Sequence, residues 1–238
     1  MHTVFVGNPG TGKTTVAKIV GKMFKQFGLV QKGHVVEAQR GDLVGQNTKE
    51  TAQNVEKQMQ QAKGGILFVD EAYRLRDSKD AVEEIMLRLN ATNDFILILA
   101  GYPQEMKELL GVNDGLPRRF YQLIQLADYK PSELAEICIE KAKGHQYQDL
   151  PSSLELEVLL NNSCVNRPQT ANGTSTTCAK PLISQYNAGL CDHLLFVAEK
   201  EKAMRITGRE ATKKEKDCLK IDDFKKGLQK WLEELSVQ

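Results

Sequence analysis

The first half of the chain alternates short apolar runs with segments of helical spacing. Unbroken apolar runs are typical of strands that are covered on both faces of a parallel sheet. Five runs predict strands, at residues 3–6 (TVFV), 34–38 (HVVEA), 65–70 (GILFVD), 95–100 (FILILA) and 121–126 (YQLIQL). The segments between them place apolar residues three and four positions apart, as amphipathic helices do. This alternation predicts an α/β fold, a doubly wound five-stranded parallel sheet.

Two of the intervening helices show a clear apolar stripe, and we expect both stripes to be buried. The first stripe consists of Val16, Val20, Met23, Phe24 and Phe27. The second consists of Val82, Ile85, Met86 and Leu89.

After residue 128 the pattern changes to helices alone. Pro131 is placed to open one helix, leucines at 154–160 and 190–194 indicate two more, and an amphipathic helix from Ile221 places Trp231 in a core. The stretch 161–181 is polar and rich in turn-forming residues, which predicts a loop insert. We therefore expect an α/β core over residues 1–128 and a small all-helical domain over 129–238.

Composition narrows the possible partners and compartments. The 238 residues carry a net charge of only +1, so no overall field favours nucleic acid, and no apolar run is long enough to predict a membrane span. The five cysteines include no C-x-x-C pair, and the four histidines lack metal-ligand spacing. We expect no zinc site and a reducing compartment: the cytoplasm, with the nucleus or a plastid also compatible.

Residues 7–14, GNPGTGKT, match the phosphate-binding pattern G-x-x-x-x-G-K-[ST] in full. The motif follows a predicted strand and precedes a predicted helix, which is the context it requires. Its glycines allow backbone N–H groups to turn toward an anion, and the helix dipole adds positive potential. Lys13 is expected to reach the β- and γ-phosphates, and the Thr14 hydroxyl to bind Mg²⁺.

The third apolar run ends in two carboxylates, Asp70 and Glu71. The carboxyl ends of parallel strands line the ligand crevice of such sheets. Asp70 can therefore hold Mg²⁺, and Glu71 can act as a general base toward an attacking water. A protein that only holds a nucleotide needs the first carboxylate but not the second.

Three segments of the chain resemble the AAA+ ATPases of the CbbX/CfxQ group, which includes red-type rubisco activases and is related to SpoVK-like proteins. They are GNPGTGKTTVAK, GDLVGQ…GGILFVDEAY and ILAGYP…NDGLPRRF, and the resemblance covers roughly residues 3–135. It implies an AAA+ core with a helical lid, ATP bound at the subunit interface of a ring, and remodelling of a protein partner. Such modules normally have a helix and linker before the first strand, so we expect this chain to be short at its start.

The resemblance also implies site residues. Eight residues match the family's Walker A loop: Asn8, Pro9, Gly10, Thr11, Gly12, Lys13, Thr14 and Thr15. Asp70 and Glu71 match its Walker B pair. Arg119, with Arg118 as its near equal, matches the arginine finger that a neighbouring subunit supplies, and Tyr102 occupies the sensor-1 position.

The chain departs from the family at two positions. Asn47, Thr48 and Lys49 stand where an aromatic pore loop is expected, which puts substrate threading by the usual contact in doubt. Gly189 stands where a sensor-2 arginine is expected. A charged hydrogen bond of this kind contributes about 1.5–3 kcal/mol, so its loss is expected to slow hydrolysis or weaken coupling without abolishing binding.

Three functions remain in competition. The leading one is an ATPase with ATP and Mg²⁺ that assembles as a ring-type homo-oligomer, with a hexamer as the expected size, and remodels an unidentified protein substrate. The alternative is an ATP-dependent assembly or regulatory binding module with little or no turnover. A monomeric P-loop kinase would explain the phosphate loop, but not the Asp70–Glu71 pair together with Arg118 and Arg119.

Overall fold

The computed structural model describes residues 2–91, 94–120, 122–161, 185–207 and 211–236. The chain divides into two compact units. The first contains Met1–Asn8 and Gly12–Ala127, and the second contains Pro9–Thr11 and Asp128–Gln238. Three residues of the phosphate loop are therefore grouped with the helical half of the chain.

The first unit contains a parallel sheet of five strands in the order β2-β3-β4-β1-β5 among the described residues. The strands are β1 (Thr3–Val6), β2 (Val35–Ala38), β3 (Ile66–Val69), β4 (Ile96–Gly101) and β5 (Gln122–Gln125). All five predicted strands are confirmed, with ends that differ by one residue at most.

Helices cover the sheet and connect its strands. They are α1 (Lys13–Gln26), α2 (Arg40–Leu43), α3 (Thr48–Gln61), α4 (Lys79–Ala91), α5 (Pro103–Leu110) and α6 (Leu116–Arg119). A 3₁₀ turn over Ala72–Leu75 follows β3. Alternate strand residues enter two separate apolar cores, so Phe5 and Phe68 belong to the core with α1, whereas Val4 and Leu67 face the other.

The stripe predicted for α4 is buried, but the one predicted for α1 is wrong in part. Met23 and Phe27 are 45 % and 70 % exposed, whereas Ala17 and Gly21 are the buried positions of α1. The reason is a close approach of the backbone: a Cβ added at Gly21 would lie 2.8 Å from the carbonyl oxygen of Gly33. The buried positions are small residues, which a search for large apolar residues does not register. Three residues of the predicted stripe are partly buried and pack against the core: Val16, Val20 and Phe24.

The second unit is built from helices, with one isolated bridge between Asp149 and Cys218 among its described residues. The helices are α7 (Pro131–Gly144), α8 (Ser153–Asn161), α9 (Ala188–Ile206), α10 (Lys213–Lys216) and α11 (Ile221–Ser236). Their shared core includes Leu134, Leu194, Phe224 and Trp231. Apart from Asn161, which ends α8, the predicted polar insert lies outside the described residues.

A partly buried ion pair links two of these helices. Arg205 of α9 donates to both carboxylate oxygens of Asp223 at 3.0 and 2.9 Å, and Asp223 also accepts from the backbone N–H of Lys220 at the start of α11. Across the described parts of the chain, no helix is both long enough and apolar enough to span a membrane.

Candidate functional site

The carboxyl ends of three neighbouring strands converge at one edge of the sheet. Val6 of β1 is paired with Gly101 of β4, and Val69 of β3 is paired with Leu99 of the same central strand. Neighbouring strands lie about 4.8 Å apart, so β1 and β3, on either side of β4, are about 10 Å apart across the sheet. The phosphate loop, the acidic pair and Tyr102 all continue from these three strands.

The loop that follows β1 contains two left-handed glycines, Gly10 (φ 72°) and Gly12 (φ 84°). This backbone conformation is accessible to glycine at little cost, and anion-binding nests use it. Gly7 anchors the start of the loop by donating its N–H to the carbonyl of Gly101 at 3.2 Å. The first turn of α1 then contains Lys13, Thr14 and Thr15.

Lys13 lies among polar and aromatic groups at this strand edge. Its Nζ donates to the carbonyl oxygens of Gly7 and Asn8, both at 2.9 Å, and lies 5.6 Å from the centre of the Tyr102 ring. Burial lowers the Lys13 pKa, while the carboxylates of Asp70 and Glu71 act in the opposite direction. The Lys13 ammonium is therefore close enough to Asp70 and Glu71 to be attracted by both carboxylates.

The acidic pair begins directly after β3. The backbone N–H of Asp70 donates to the carbonyl of Ala38 at 2.9 Å, and Asp70 Oδ1 accepts from the N–H of Glu71 at 3.0 Å. Glu71 has φ 48° and ψ 40°, a left-handed conformation that is uncommon for a residue with a side chain. Such conformations cost on the order of 1–3 kcal/mol and cluster at functional sites.

Arg74 is a neighbour of Glu71 that the sequence analysis missed. Its Nε donates to Glu71 Oε2 at 3.0 Å, and its backbone N–H donates to the Glu71 carbonyl at 2.9 Å within the 3₁₀ turn. The signal was present in DEAYR, because residues three apart are neighbours on a helical turn. The predicted general base therefore has a cation of its own chain as its partner.

Tyr102, the residue expected at the sensor-1 position, packs against Tyr73, which follows the acidic pair by two residues. The two rings are stacked with centres 5.4 Å apart. Gly101 makes room for this contact, because a Cβ there would lie 2.9 Å from Tyr73 Cδ1. Tyr102 directly precedes α5, where Pro103 takes the first helical position.

The two candidate arginine fingers differ in their surroundings. Arg119 donates to Asn90 Oδ1 through Nε at 3.1 Å and to the Gly115 carbonyl at 3.0 Å, and its Nη2 contacts Asn90 as well. Arg118 is exposed and, within the described ranges, forms no hydrogen bond or ion pair. Arg118, the less favoured candidate, is thus exposed and without a partner among the described residues, whereas Arg119, the favoured one, is bound within its own chain.

The positions that depart from the family have local explanations. Asn47 caps α3, with its Oδ1 accepting from the Glu50 N–H at 2.9 Å, and Thr48 donates to Asp80 at 2.6 Å. Asparagine is a favoured cap, so these residues suit the start of this helix. Gly189 lies in the first turn of α9, where an added Cβ would meet nothing within 4 Å.

No group of three or more His, Cys, Asp or Glu side chains among the described residues could hold a metal ion. Cys138, Cys191 and Cys218 are free and buried, whereas Cys164 and Cys178 lie outside the described residues.

Comparison with known proteins gives a consistent family. The profile described as "ATPase family associated with various cellular activities (AAA)" matches residues 3–120. The "Protein CfxQ homolog" of Trieres chinensis is 34 % identical over 94 % of this chain and 76 % of its own length. The chain belongs to the AAA family of ATPases. Two further relatives of this AAA chain are "Stage V sporulation protein K" of Bacillus subtilis and "Protein CbbX" of Cereibacter sphaeroides, at 42 % and 38 % identity over 62 % and 74 % of the chain.

These relatives are longer than this AAA chain. It spans 48 % of the sporulation protein and 59 % of the CbbX protein. A solved katanin structure superimposes with a TM-score of 0.60 at 18 % identity, covering 96 % of this chain and 71 % of that one. A Thermotoga maritima RuvB structure gives 0.60 at 19 % identity, covering 96 % and 61 %. At this identity the two structures establish the AAA fold alone.

Proposed function

We propose that this chain is an ATP-hydrolysing AAA module that couples hydrolysis to the remodelling of a protein partner. One observation carries the proposal. The Lys13 ammonium, at the end of a loop with two left-handed glycines, lies in the field of two successive carboxylates, Asp70 and Glu71. A binding loop alone requires neither the second carboxylate nor its strained backbone.

The residues at this edge also suit the metal that the family uses. The Thr14 hydroxyl and the Asp70 carboxylate would hold Mg²⁺, which prefers oxygen ligands and keeps several waters. When bound, Mg²⁺ supplies charge neutralisation at the phosphates. Within the chain, Lys13 would exchange the carbonyls of Gly7 and Asn8 for phosphate oxygens, and Glu71 would take a proton from the attacking water. Asn8–Thr15 would hold the phosphates, with Tyr102 beside Lys13.

The proposal extends to assembly and location. We infer a ring-type homo-oligomer, with a hexamer as the expected size, in which Arg118 or Arg119 of one subunit completes the site of the next. The protein substrate is not identified, and nucleic acid and membranes are not proposed as partners. The three buried free thiols support a reducing compartment, with the cytoplasm as the first choice.

An ATP-dependent assembly or binding module with little turnover is the second candidate. Two observations favour it: position 189 is a glycine and carries no cation, and at the expected pore loop Asn47 caps α3 while Thr48 and Lys49 begin that helix. Such a module would bind ATP and assemble with the same residues.

The first test is ATP turnover by the wild-type chain and by Glu71→Gln. Loss of a general base typically costs 10²–10⁴-fold in rate, so we expect turnover to fall by at least about 100-fold while ATP binding persists. Glu83→Gln is a matched control, because Glu83 is an exposed carboxylate on α4. Particle size is measured with and without ATP in the same samples.

Two results would redirect the proposal. Equal turnover in the wild type and in Glu71→Gln would remove Glu71 from the mechanism. Tight ATP binding and ATP-dependent assembly without turnover in either protein would favour the assembly module.

A further inference from the structure

Asn187, directly before α9, has a backbone conformation that side chains rarely adopt. Its φ is 45° and its ψ is −128°, and the residue is fully buried. A buried residue that keeps such a conformation must be held there by its surroundings. Glycine would adopt the same backbone without strain, so the asparagine side chain must provide something that glycine cannot.

The side chain makes three hydrogen bonds within the second unit. Its Nδ2 donates to the Pro9 carbonyl at 3.1 Å and to Asp128 Oδ1 at 2.9 Å, and its Oδ1 accepts from the backbone N–H of Tyr129 at 2.9 Å. An amide is the side chain that offers two donors and an acceptor in this arrangement. The opposite amide orientation would direct an oxygen at two acceptors, so the network fixes the assignment.

The next residue holds the neighbouring peptide of the phosphate loop. The backbone N–H of Ala188 donates to the Gly10 carbonyl at 3.1 Å. Gly10 is closely approached from the same segment, since a Cβ there would lie 2.1 Å from the carbonyl oxygen of Tyr186. Two consecutive loop carbonyls, those of Pro9 and Gly10, are thus bound by two consecutive residues, Asn187 and Ala188.

A peptide unit is planar, so fixing a carbonyl also fixes the N–H of the following residue. The bond to the Pro9 carbonyl orients the N–H of Gly10, and the bond to the Gly10 carbonyl orients the N–H of Thr11. In phosphate loops these N–H groups are the ligands of the anion. The position of Asn187 therefore bears on the part of the loop whose geometry decides phosphate binding.

We propose that Asn187 is a positioning residue that fixes the conformation of the phosphate loop at Pro9–Thr11 and thereby sets nucleotide affinity. This inference rests on the proposed function, because it assumes that the loop binds nucleotide phosphates. A residue that served only the packing of the helical unit would affect stability without affecting the amides of Gly10 and Thr11.

The test uses the full chain with Asn187→Gly, which keeps the backbone conformation and removes the three side-chain bonds. Asn161→Ala, at the exposed end of α8, is the matched control in the same unit. Hydrogen exchange of the Gly10 and Thr11 amides is measured without nucleotide, and the dissociation constant for ADP is measured by titration. We expect faster exchange at both amides and about tenfold weaker ADP binding, with no change in the control.

The outcomes separate this inference from the proposed function. Unchanged exchange in folded Asn187→Gly, or faster exchange with unchanged ADP affinity, would overturn the positioning role. If the wild type does not bind ADP, the proposed function fails, and the exchange data alone decide whether Asn187 fixes the loop. Should Asn187→Gly not fold, Asn187→Asp replaces it, because aspartate tolerates positive φ as asparagine does and keeps an acceptor for the Tyr129 N–H, but it removes the donor to the Pro9 carbonyl.

Discussion

Three charged side chains at the candidate site already have partners within the chain. Lys13 is bound to loop carbonyls, Glu71 to Arg74, and Arg119 to Asn90 and Gly115. Each group must exchange one partner for another before it can act on a phosphate or a water. The Glu71–Arg74 pair is partly exposed, where ion pairs contribute about 0–1 kcal/mol, so this exchange costs little.

His2 gives the fold a specific pH dependence. Burial is the main cause that lowers the His2 pKa from 6.5 to about 4, with the N-terminal ammonium and Arg119 adding to it. The neutral ring accepts from the backbone N–H of Leu97 at 3.0 Å. Between pH 6.5 and about 4 the His2 ring binds a proton in the unfolded chain but not in the folded one. The contribution of the neutral ring to the free energy of unfolding is therefore complete above pH 6.5 and is lost as the pH falls toward 4.

The expected loss is about 3 kcal/mol across that window, since one pKa unit corresponds to about 1.4 kcal/mol. Urea unfolding at pH 7 and pH 4.5 measures it. We expect His2→Gln to be less stable at pH 7 but to lose less stability on acidification than the wild type. His145→Gln, which replaces an exposed histidine, should follow the wild type; an identical loss in the His2 variant would disprove the assignment.

Among the helices, α9 allows a test of the expectation that position 189 is a sensor-2 position without its cation. An arginine at Gly189 has room, because an added Cβ meets nothing within 4 Å. We expect Gly189→Arg to raise kcat/KM for ATP about tenfold, in keeping with one charged hydrogen bond. Steady-state kinetics over a range of ATP concentrations measure this.

Gly189→Gln is the matched control for that experiment. Glutamine, like arginine, favours the helix by about 0.5–1 kcal/mol over glycine, but it carries no charge. An equal rise in both variants would show that α9 was stabilised and that no phosphate contact was restored.

The strands were predictable from sequence, whereas several contacts of the helices were not. Buried strands of a parallel sheet require continuous apolar runs, so β1, β3 and β4 have few other interpretations. Part of the buried surface of α1 is Gly21, whose role follows from the close approach of the Gly33 backbone in the loop between α1 and β2. Asn187 was equally hidden, because its importance arises from carbonyls that lie far away in sequence.

At the candidate site, the motif residues could likewise be predicted from sequence, whereas contacts that depend on the tertiary fold could not. The phosphate loop and the acidic pair follow from local patterns whose chemistry requires those residues at that spacing. Arg74 could have been inferred from its spacing to Glu71. The different environments of Arg118 and Arg119 could not, because the contacts of Arg119 with Asn90 and Gly115 require the tertiary fold.

In the proposed ring, an arginine finger would make each site depend on a neighbouring subunit. Arg118 is exposed without a partner among the described residues, whereas Arg119 must first leave Asn90. We therefore expect Arg118→Ala to abolish most ATP turnover, and Arg119→Ala to have the smaller effect on turnover and the larger effect on stability. Thermal unfolding and turnover of both variants, measured side by side, distinguish the two residues; the reverse ranking of turnover would favour Arg119.

Mixing two inactive variants tests whether the arginine acts between subunits. In a ring assembled at random from equal amounts of Glu71→Gln and Arg118→Ala, about a quarter of the sites combine an intact Glu71 with an intact Arg118 from the neighbour, because each condition holds for half the subunits. Turnover should therefore recover to about a quarter of the wild-type value. A mixture that stays inactive, although mass measurements show mixed rings, would mean that Arg118 acts within its own subunit or outside catalysis.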